Sequence, residues 1–511
     1  MKLTRRDMLK YGLMGAAGLA LPGYLYQQGR SALRSPEVAL FSVPLPIPPV
    51  LAPTRTDADT DYYELVQQEA TAEILPGLST AIWGYNGIFP GPTIEAKSGR
   101  QAVIRQTNAL AVPVVTHLHG AVTAPESDGY PMDFILPADP AAHADHAHAA
   151  SANSSVGFKD YTYPNQQRGA TLWYHDHRMD FTGPQVYRGL AGMYIIRDDV
   201  EEQLPLPRGE KEIPLIIADR QFNEDGSFHY PSIDPSLTGE PGVTGNAHSD
   251  GMLGDTILVN GAPWPVLEVS NTRYRFRILN ASNARIYRLG LDPPPSEGSS
   301  FTQIGSDGGL LTKPLGHDSI RVAPAERLDI IIDFSKFKIG DEITLRNLEV
   351  QDPFSQGRIS NIMRFRVVRE ETDDSAILDQ LAPEDEPLDP KSAVKTREFR
   401  FNRTGGDWAI NDRTFDPDHI WADPKLDSTE IWEFIGTPGH PVHLHLVHFK
   451  VLDGGDGYAG GSNSGWKDTV LLGNRPVRVI AKFSGYRGKY VLHCHILEHE
   501  DMMMMANFEV V

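Results

Sequence analysis

The chain has 511 residues, 40% of them hydrophobic, with a mean hydropathy of −0.32. That length exceeds what one core can serve, so about three soluble domains of ordinary size are expected. A formal net charge of −20 argues against nucleic acid and acidic lipid as partners and suits small neutral or cationic molecules.

The N-terminus reads as an export address. Thr4-Arg5-Arg6-Asp7-Met8-Leu9-Lys10 precedes an apolar run from Tyr11 to about Tyr24, which resembles a twin-arginine signal over residues 1–30. Such a signal implies a periplasmic, cell-surface or extracellular protein, exported already folded. No other stretch reaches the roughly 20 apolar residues of a membrane helix, so the mature chain is expected to have no span. Ser42 to Pro53 is proline-rich and reads as an extended linker.

From Tyr62 onward, short runs of β-branched and aromatic residues alternate with Gly, Pro, Asn and Asp. Ala102 to Gln106, Pro214 to Ala218, Tyr274 to Leu279, Leu328 to Phe334 and Val477 to Phe483 are examples. Helical periodicity is scarce, and the pattern predicts an all-β chain built from sandwiches. Charged, proline-bearing breaks at Asp198 to Glu212 and Glu370 to Lys395 divide it into 55–198, 210–368 and 390–511. A weak echo runs through the units: Asn86-Gly87, Asn260-Gly261 and, more loosely, Asn411-Asp412. Asn-Gly is a common turn pair, so the echo alone carries little. His143 to His148 form a His-rich tract in an Ala/Ser-rich loop, and Gly454 to Gly465 a Gly-rich loop.

The histidines are distributed unevenly. Four His-x-His pairs occur: His117-Leu118-His119, His175-Asp176-His177, His443-Leu444-His445 and His493-Cys494-His495. Residues two apart on a strand face the same way, about 6.6–7 Å apart, so each pair offers two imidazoles to one side. Two pairs fall in the first unit and two in the last, which points to a metal cluster between them. In the strand Tyr490 to His495, Cys494 faces opposite to His493 and His495 and therefore serves a second site. It is the only cysteine in the chain, which rules out an intrachain disulfide. His440 and His499 are its expected partners, with a thioether from Met502 to Met505. One thiolate, two imidazoles and a weak thioether make a blue-copper site. Zinc fits poorly, because a redox-silent ion does not call for this many imidazoles around one thiol. Asp176 faces away from its pair and reads as structural, Trp173 and Tyr174 as packing. His448 reads as second-sphere or surface, and His229, His248, His317 and His419 as ordinary.

His117-Leu118-His119-Gly120, Trp173 to His177, His440 to His445 and His493 to Asp501 resemble the four copper motifs of the multicopper oxidases. The likeness is strongest to bacterial spore-coat laccases and bilirubin oxidases. It extends to Trp83 to Gly87, Pro90 to Ile94, Tyr163 to Gln167, Gly189 to Gly192 and Gly465 to Thr469.

The resemblance implies three cupredoxin-like Greek-key sandwiches and four coppers per chain. It assigns type 1 copper to His440, Cys494, His499 and axial Met504, although four consecutive methionines leave that register open. Type 2 copper falls to His117 and His443. The type 3 pair falls to His119, His175, His177, His445, His493 and His495. Asp128 and Glu500 resemble the acids that relay protons to the reducing oxygen.

The implied activity is one-electron oxidation of a small donor near an exposed edge of His499, coupled to reduction of dioxygen to water. Phenols and aromatic amines lead as donors, then bilirubin-like tetrapyrroles, then cuprous or manganous ion. The loops Thr404 to Trp421 and Gly454 to Gly465 are expected to line the donor face. The middle unit holds none of the motif histidines and is expected to space the outer two and to help shape the substrate face. A copper-free exported protein of cell division or a coat, on the same fold, is the rival of another class. A monomer is expected.

Overall fold

The computed structural model describes residues 34–140, 151–230, 250–349, 357–383, 388–454 and 463–511. The signal at 1–30, the His-rich tract at 143–148, His248 and most of the Gly-rich loop lie outside the described residues.

Strand follows strand with little helix between, and six main sheets pair face to face into three cupredoxin-like sandwiches. In the first, the sheet of Thr60–Ala72, Gln101–Asn108 and Phe158–Tyr163 faces one holding Ala191–Arg197, β1 (Thr116–His119) and β2 (Ala170–Asp176). The middle sandwich runs from Glu212–Arg220 to Asn361–Arg369. In the third, Lys395–Thr404 and β3 (Asp407–Ile410) belong to one sheet. The facing sheet holds β4 (Pro441–Leu444), β5 (Gly488–Cys494) and β6 (Met505–Val510). Three short helices bear on the site: α1 (Pro125–Asp128), α2 (Thr182–Arg188) and α3 (Leu497–Asp501).

Strand alternation sets the site. Leu118, Leu172 and Tyr174 point into the core of the first sandwich, and Val442, Leu444, Leu492 and Cys494 into that of the third. Their neighbours on the same strands face the other way. The antiparallel register then places His117 opposite His175 and His443 opposite His493. β2 is buried along its whole length, because its second face is covered too. Trp173 packs there with Ile216, Ala218 and Leu279 of the middle sandwich and Leu497 of α3. Burial of each such large side chain stabilises the junction by roughly 1.5–3 kcal/mol.

The Asn echo proves structural. Asn86, Asn260 and Asn411 all take left-handed φ, at 56°, 51° and 53°. Their Oδ1 atoms accept from the backbone N–H of Val66, Ile216 and Arg400 at 2.9, 2.8 and 2.7 Å. Each asparagine also donates its own N–H to that same residue's carbonyl. One Asn-locked turn therefore recurs per sandwich, with a short polar side chain at the position where left-handed backbone is tolerated.

Candidate metal centre

The eight paired imidazoles meet at the boundary of the first and third sandwiches, all shut off from solvent. Their ring nitrogens converge in groups: His119, His175 and His495; His177, His445 and His493; and His117 with His443, joined by His119. A separate group holds His440, Cys494 and His499. All eleven His and Cys positions singled out by sequence therefore fall into these clusters.

Hydrogen bonding fixes which nitrogen most of these rings turn inward. A neutral imidazole has one N–H and one lone pair. Burial pushes His117, His119, His443, His445 and His495 well below the usual histidine range, His175 to about 3 and His177 to about 4, so these rings are neutral. His117 donates Nδ1–H to the Asp128 carbonyl at 2.5 Å, and His443 donates Nδ1–H to the Asp468 carbonyl at 2.9 Å. Their Nε2 lone pairs are left facing each other across 3.4 Å. Two lone pairs so placed repel, and a cation that binds both removes the repulsion.

His493 donates Nδ1–H to the Cys494 carbonyl at 3.1 Å, and its Nε2 lies 3.3 Å from the Nε2 atoms of both His177 and His445. His175 gives Nδ1–H to the Asp176 carbonyl at 2.8 Å and keeps Nε2 inward. His119 is reversed. Its Nε2 lies 3.0 Å from Asp468 Oδ1 and 3.1 Å from Thr469 Oγ1, which leaves Nδ1 for the cluster. His119 Nδ1, His175 Nε2 and both nitrogens of His495 have no hydrogen-bond partner among the described residues. Orphaned lone pairs at this burial cost about 1–3 kcal/mol each unless a ligand takes them. The residues present thus fit a set of bound metal ions.

Asp128 and Glu500 stand behind these rings. Asp128 Oδ2 lies 2.7 Å from His445 Nδ1, so this residue touches both His117 and His445. Burial, reinforced by Asp133, pushes its carboxyl well above the usual range. Glu500 Oε2 lies 3.0 Å from His493 Nδ1, and Oε1 3.4 Å from His177 Nδ1. Burial alone would raise Glu500, but His493 and His177 outweigh it and hold the group below the usual range. Thr182 of α2 donates to Glu500 Oε1 at 2.8 Å.

On the opposite face of β5, Cys494 Sγ lies 3.3 Å from His440 Nδ1 and 3.6 Å from His499 Nδ1. Burial pushes the thiol well above its ordinary range, so a thiolate here needs a cation bound to it. The Ile496 N–H donates to Sγ at 3.4 Å. Met504 is buried in the same core as Cys494 and Ile496, whereas Met505 faces Tyr130 and Val491. Met503, at φ 77°, makes the turn into β6 that separates them. Met502 is partly buried and packs against the edge of the Cys494 core.

The chain resembles known proteins along most of its length. Sequence profiles described as multicopper oxidase match residues 67–201 and 387–511. A laccase of Bacillus subtilis (strain 168) is 39% identical, over 91% of this chain and 97% of the relative. The bilirubin oxidase of Albifimbria verrucaria is 34% identical, over 95% of this chain and 83% of its own. The crystal structure of a laccase from Pediococcus acidilactici superposes with a TM-score of 0.78 at 31% identity, covering 94% of this chain and 95% of that one. The chain belongs to the multicopper oxidases.

The oxidase also holds functional residues that motif reading passed over. Asp468 accepts from Arg327 Nη1 at 2.8 Å and pairs with Nη2 as well. Arg327 belongs to the middle sandwich and also donates Nε–H to the Thr171 carbonyl of the first at 2.9 Å. One guanidinium thus ties all three units beside His119 and His443, so the middle sandwich does more than space its neighbours. Asp468 lies within Gly465 to Thr469, a stretch that carries the family resemblance but no metal ligand.

The middle sandwich also reaches the thiol site. Glu498 of α3 accepts from Tyr230 and Asn283 at 2.8 Å each and from the Met252 N–H at 3.0 Å.

One expectation changes. His499 has no exposed edge: it is 3% exposed, and the Trp408 ring covers it with centroids 3.9 Å apart. Trp173 is a packing residue as expected, and part of what it packs on is the His175 ring, with centroids 4.1 Å apart. His448 contacts the Gly120 carbonyl at 3.0 Å and stays outside the clusters, as do His229, His317 and His419.

Proposed function

We propose that this oxidase is a laccase-type enzyme that takes single electrons from phenols and aromatic amines and reduces dioxygen to water with four of them. The observation that carries the reading is the two-sided strand β5: Cys494 faces His440 and His499, while His493 and His495 face the six other imidazoles. When bound, copper supplies the one-electron chemistry at the thiol site and the dioxygen chemistry at the imidazole cluster.

In this reading His440, Cys494, His499 and Met504 hold type 1 copper. His117 and His443 hold type 2 copper. The type 3 pair is held by His119, His175 and His495 and by His177, His445 and His493, which makes four coppers per chain. The backbone from Cys494 to His493 and to His495 is a covalent path between the two sites. Asp128 Oδ2 lies against the back of His445, and Glu500 stands at His493 and His177, so both are suited to relay protons inward. Glu126 and Ser127 of α1, next to Asp128, line a surface cleft of about 710 Å³, which puts solvent one residue away from this carboxylate.

Copper-replete protein is expected to hold about four coppers per chain, and Cys494→Ser to lose the blue absorption and the oxidase activity together. A Cys494→Ser variant that still oxidised a phenolic dye would refute the scheme. Asp128→Asn is expected to keep the blue colour and to slow oxygen uptake by about 10²–10⁴-fold, the size of a lost acid–base group. Unchanged uptake would leave Asp128 as a purely structural contact. Bilirubin oxidation is a second reading, favoured by the Albifimbria verrucaria relative. Parallel assays of a phenol, bilirubin and Cu(I) separate the donors. A chain that bound no copper after copper-replete expression would instead be a binding protein on this fold.

The unit limits 55–198, 210–368 and 390–511, a monomeric state and twin-arginine export belong to the same proposal. Light scattering and cell fractionation test the last two.

A further inference from the structure

His499 has its Nδ1 on the Cys494 side, and its outer face is closed by Trp408 of β3. The indole also meets His440 edge-on, with centroids 5.2 Å apart, so it lies against both imidazoles of the thiol site. On Trp408 lies the Arg403 guanidinium, 3.8 Å from the ring centroid. Arg403 is held in turn by Asp250 of the middle unit, Nη2 to Oδ1 at 2.6 Å. The layers therefore run outward from imidazole to indole to guanidinium to solvent, and only the last is well exposed. A planar, delocalised group already occupies the outer face of the indole, so the face is a stacking seat. The tether that holds Arg403 there is an exposed ion pair, a weak kind of contact.

We propose that Trp408 is the seat of the electron donor. A planar aromatic donor stacks on the indole in place of Arg403, and its electron crosses the ring to His499 without the donor touching the imidazole. For a phenol the balance is one electron to the oxidase and one proton to solvent, with a phenoxyl radical leaving. The donor class follows from the seat: flat, electron-rich aromatics are drawn to an indole face, whereas a metal cation meets the guanidinium first. This inference rests on the oxidase reading above, and adds where and how the donor binds.

The test compares copper-loaded wild type with Trp408→Leu, Trp408→Phe and Arg403→Ala, each first checked for copper content and blue absorption. Binding of 4-nitrophenol, a planar phenol that resists oxidation, is measured by calorimetry, and turnover with 2,6-dimethoxyphenol by oxygen uptake. Removing the indole in Trp408→Leu is expected to weaken 4-nitrophenol binding roughly threefold to tenfold, the size of one aromatic stacking contact, and to lower kcat. Trp408→Phe should keep most of both, and Arg403→Ala should tighten binding by baring the ring. A Trp408→Leu enzyme that turned over the phenol as fast as wild type, or faster, would make the indole a shutter over His499 and overturn the proposal. So would unchanged 4-nitrophenol binding. If the wild type took up no oxygen with any donor, the oxidase reading would fail, and the binding series would still decide whether Trp408 is a seat.

Discussion

The ring orientation of His119 rests on one carboxylate. Asp468 and Thr469 occupy its Nε2, which commits the N–H to that side and turns Nδ1 inward. Asp468 remains charged because Arg327 outweighs the cost of its burial and holds it below the usual carboxylate range. Asp468→Ala therefore loosens the hold on the His119 tautomer and leaves Arg327 with Asp307, at 3.7 Å, as its remaining carboxylate. The expected result is a 10–100-fold loss of copper affinity at the imidazole cluster, the usual size for removing a group that orients a ligand. Copper content after dialysis checks this, with the blue absorption as an internal reference, since the thiol site lies on the far face of β5. Equal copper loss from both sites would mean that Asp468 supports the whole domain boundary rather than His119.

At the level of elements, α1 is placed by its terminal glycine. Gly129 caps the helix at φ 82°, and a Cβ there would meet the Thr116 carbonyl at 2.3 Å and the His117 Cα at 2.8 Å. Only a residue without a side chain lets α1 press so closely on β1, and that closeness carries the Asp128 carbonyl to His117 Nδ1. Gly129→Ala is expected to destabilise the copper-free chain by more than about 1 kcal/mol through the left-handed backbone alone, with the clash added. Chemical denaturation measures the first effect. The paramagnetic signal of type 2 copper, expected to weaken as His117 shifts, measures the second. α3 shows the same economy: five residues hold Glu498 to the middle sandwich, His499 to the sulfur and Glu500 to the imidazole cluster.

Across the whole molecule, the first and middle sandwiches are joined by a buried charge cluster of Arg197, Glu201, Glu212, Arg275, Arg277 and Asp329. Burial would raise Glu212, but Arg277, Arg275 and Arg197 outweigh it and hold its carboxyl at about 2, against an ordinary 4.5. Glu201 moves in the same direction for the same reason. A depressed folded-state value means that the unfolded chain takes up protons first as pH falls. The stabilisation is therefore complete above about pH 4.5 and is lost as pH falls toward about 2. Denaturant titrations of the copper-free chain between pH 7 and pH 3 should show a first fall below about pH 6.5, where the unfolded chain protonates histidines that burial keeps neutral, and a further fall below about pH 4.5 that is missing from Arg277→Leu. Arg277→Leu should lower stability at pH 7 by about 3 kcal/mol or more, because it breaks a buried network from one side. The same loss of stability below about pH 4.5 in wild type and in Arg277→Leu would show the cluster to be neutral to folding.

The amino-acid sequence by itself determined the all-β class, the His-x-His pairs and the two-sided logic of Cys494. These follow from the period of two along a strand, a local property that any reader of residues 490–495 can apply. It also placed Asp128 and Glu500, though only through resemblance. Tertiary structure alone decided which nitrogen each ring turns inward, which methionine shares the core of the thiol, and that His499 lies beneath Trp408. It also brought Arg327 to Asp468 across 141 residues of chain. The reason is that an imidazole tautomer, a buried charge and a covered ring are each set by partners from other sandwiches, and no spacing along one strand encodes the distance to them.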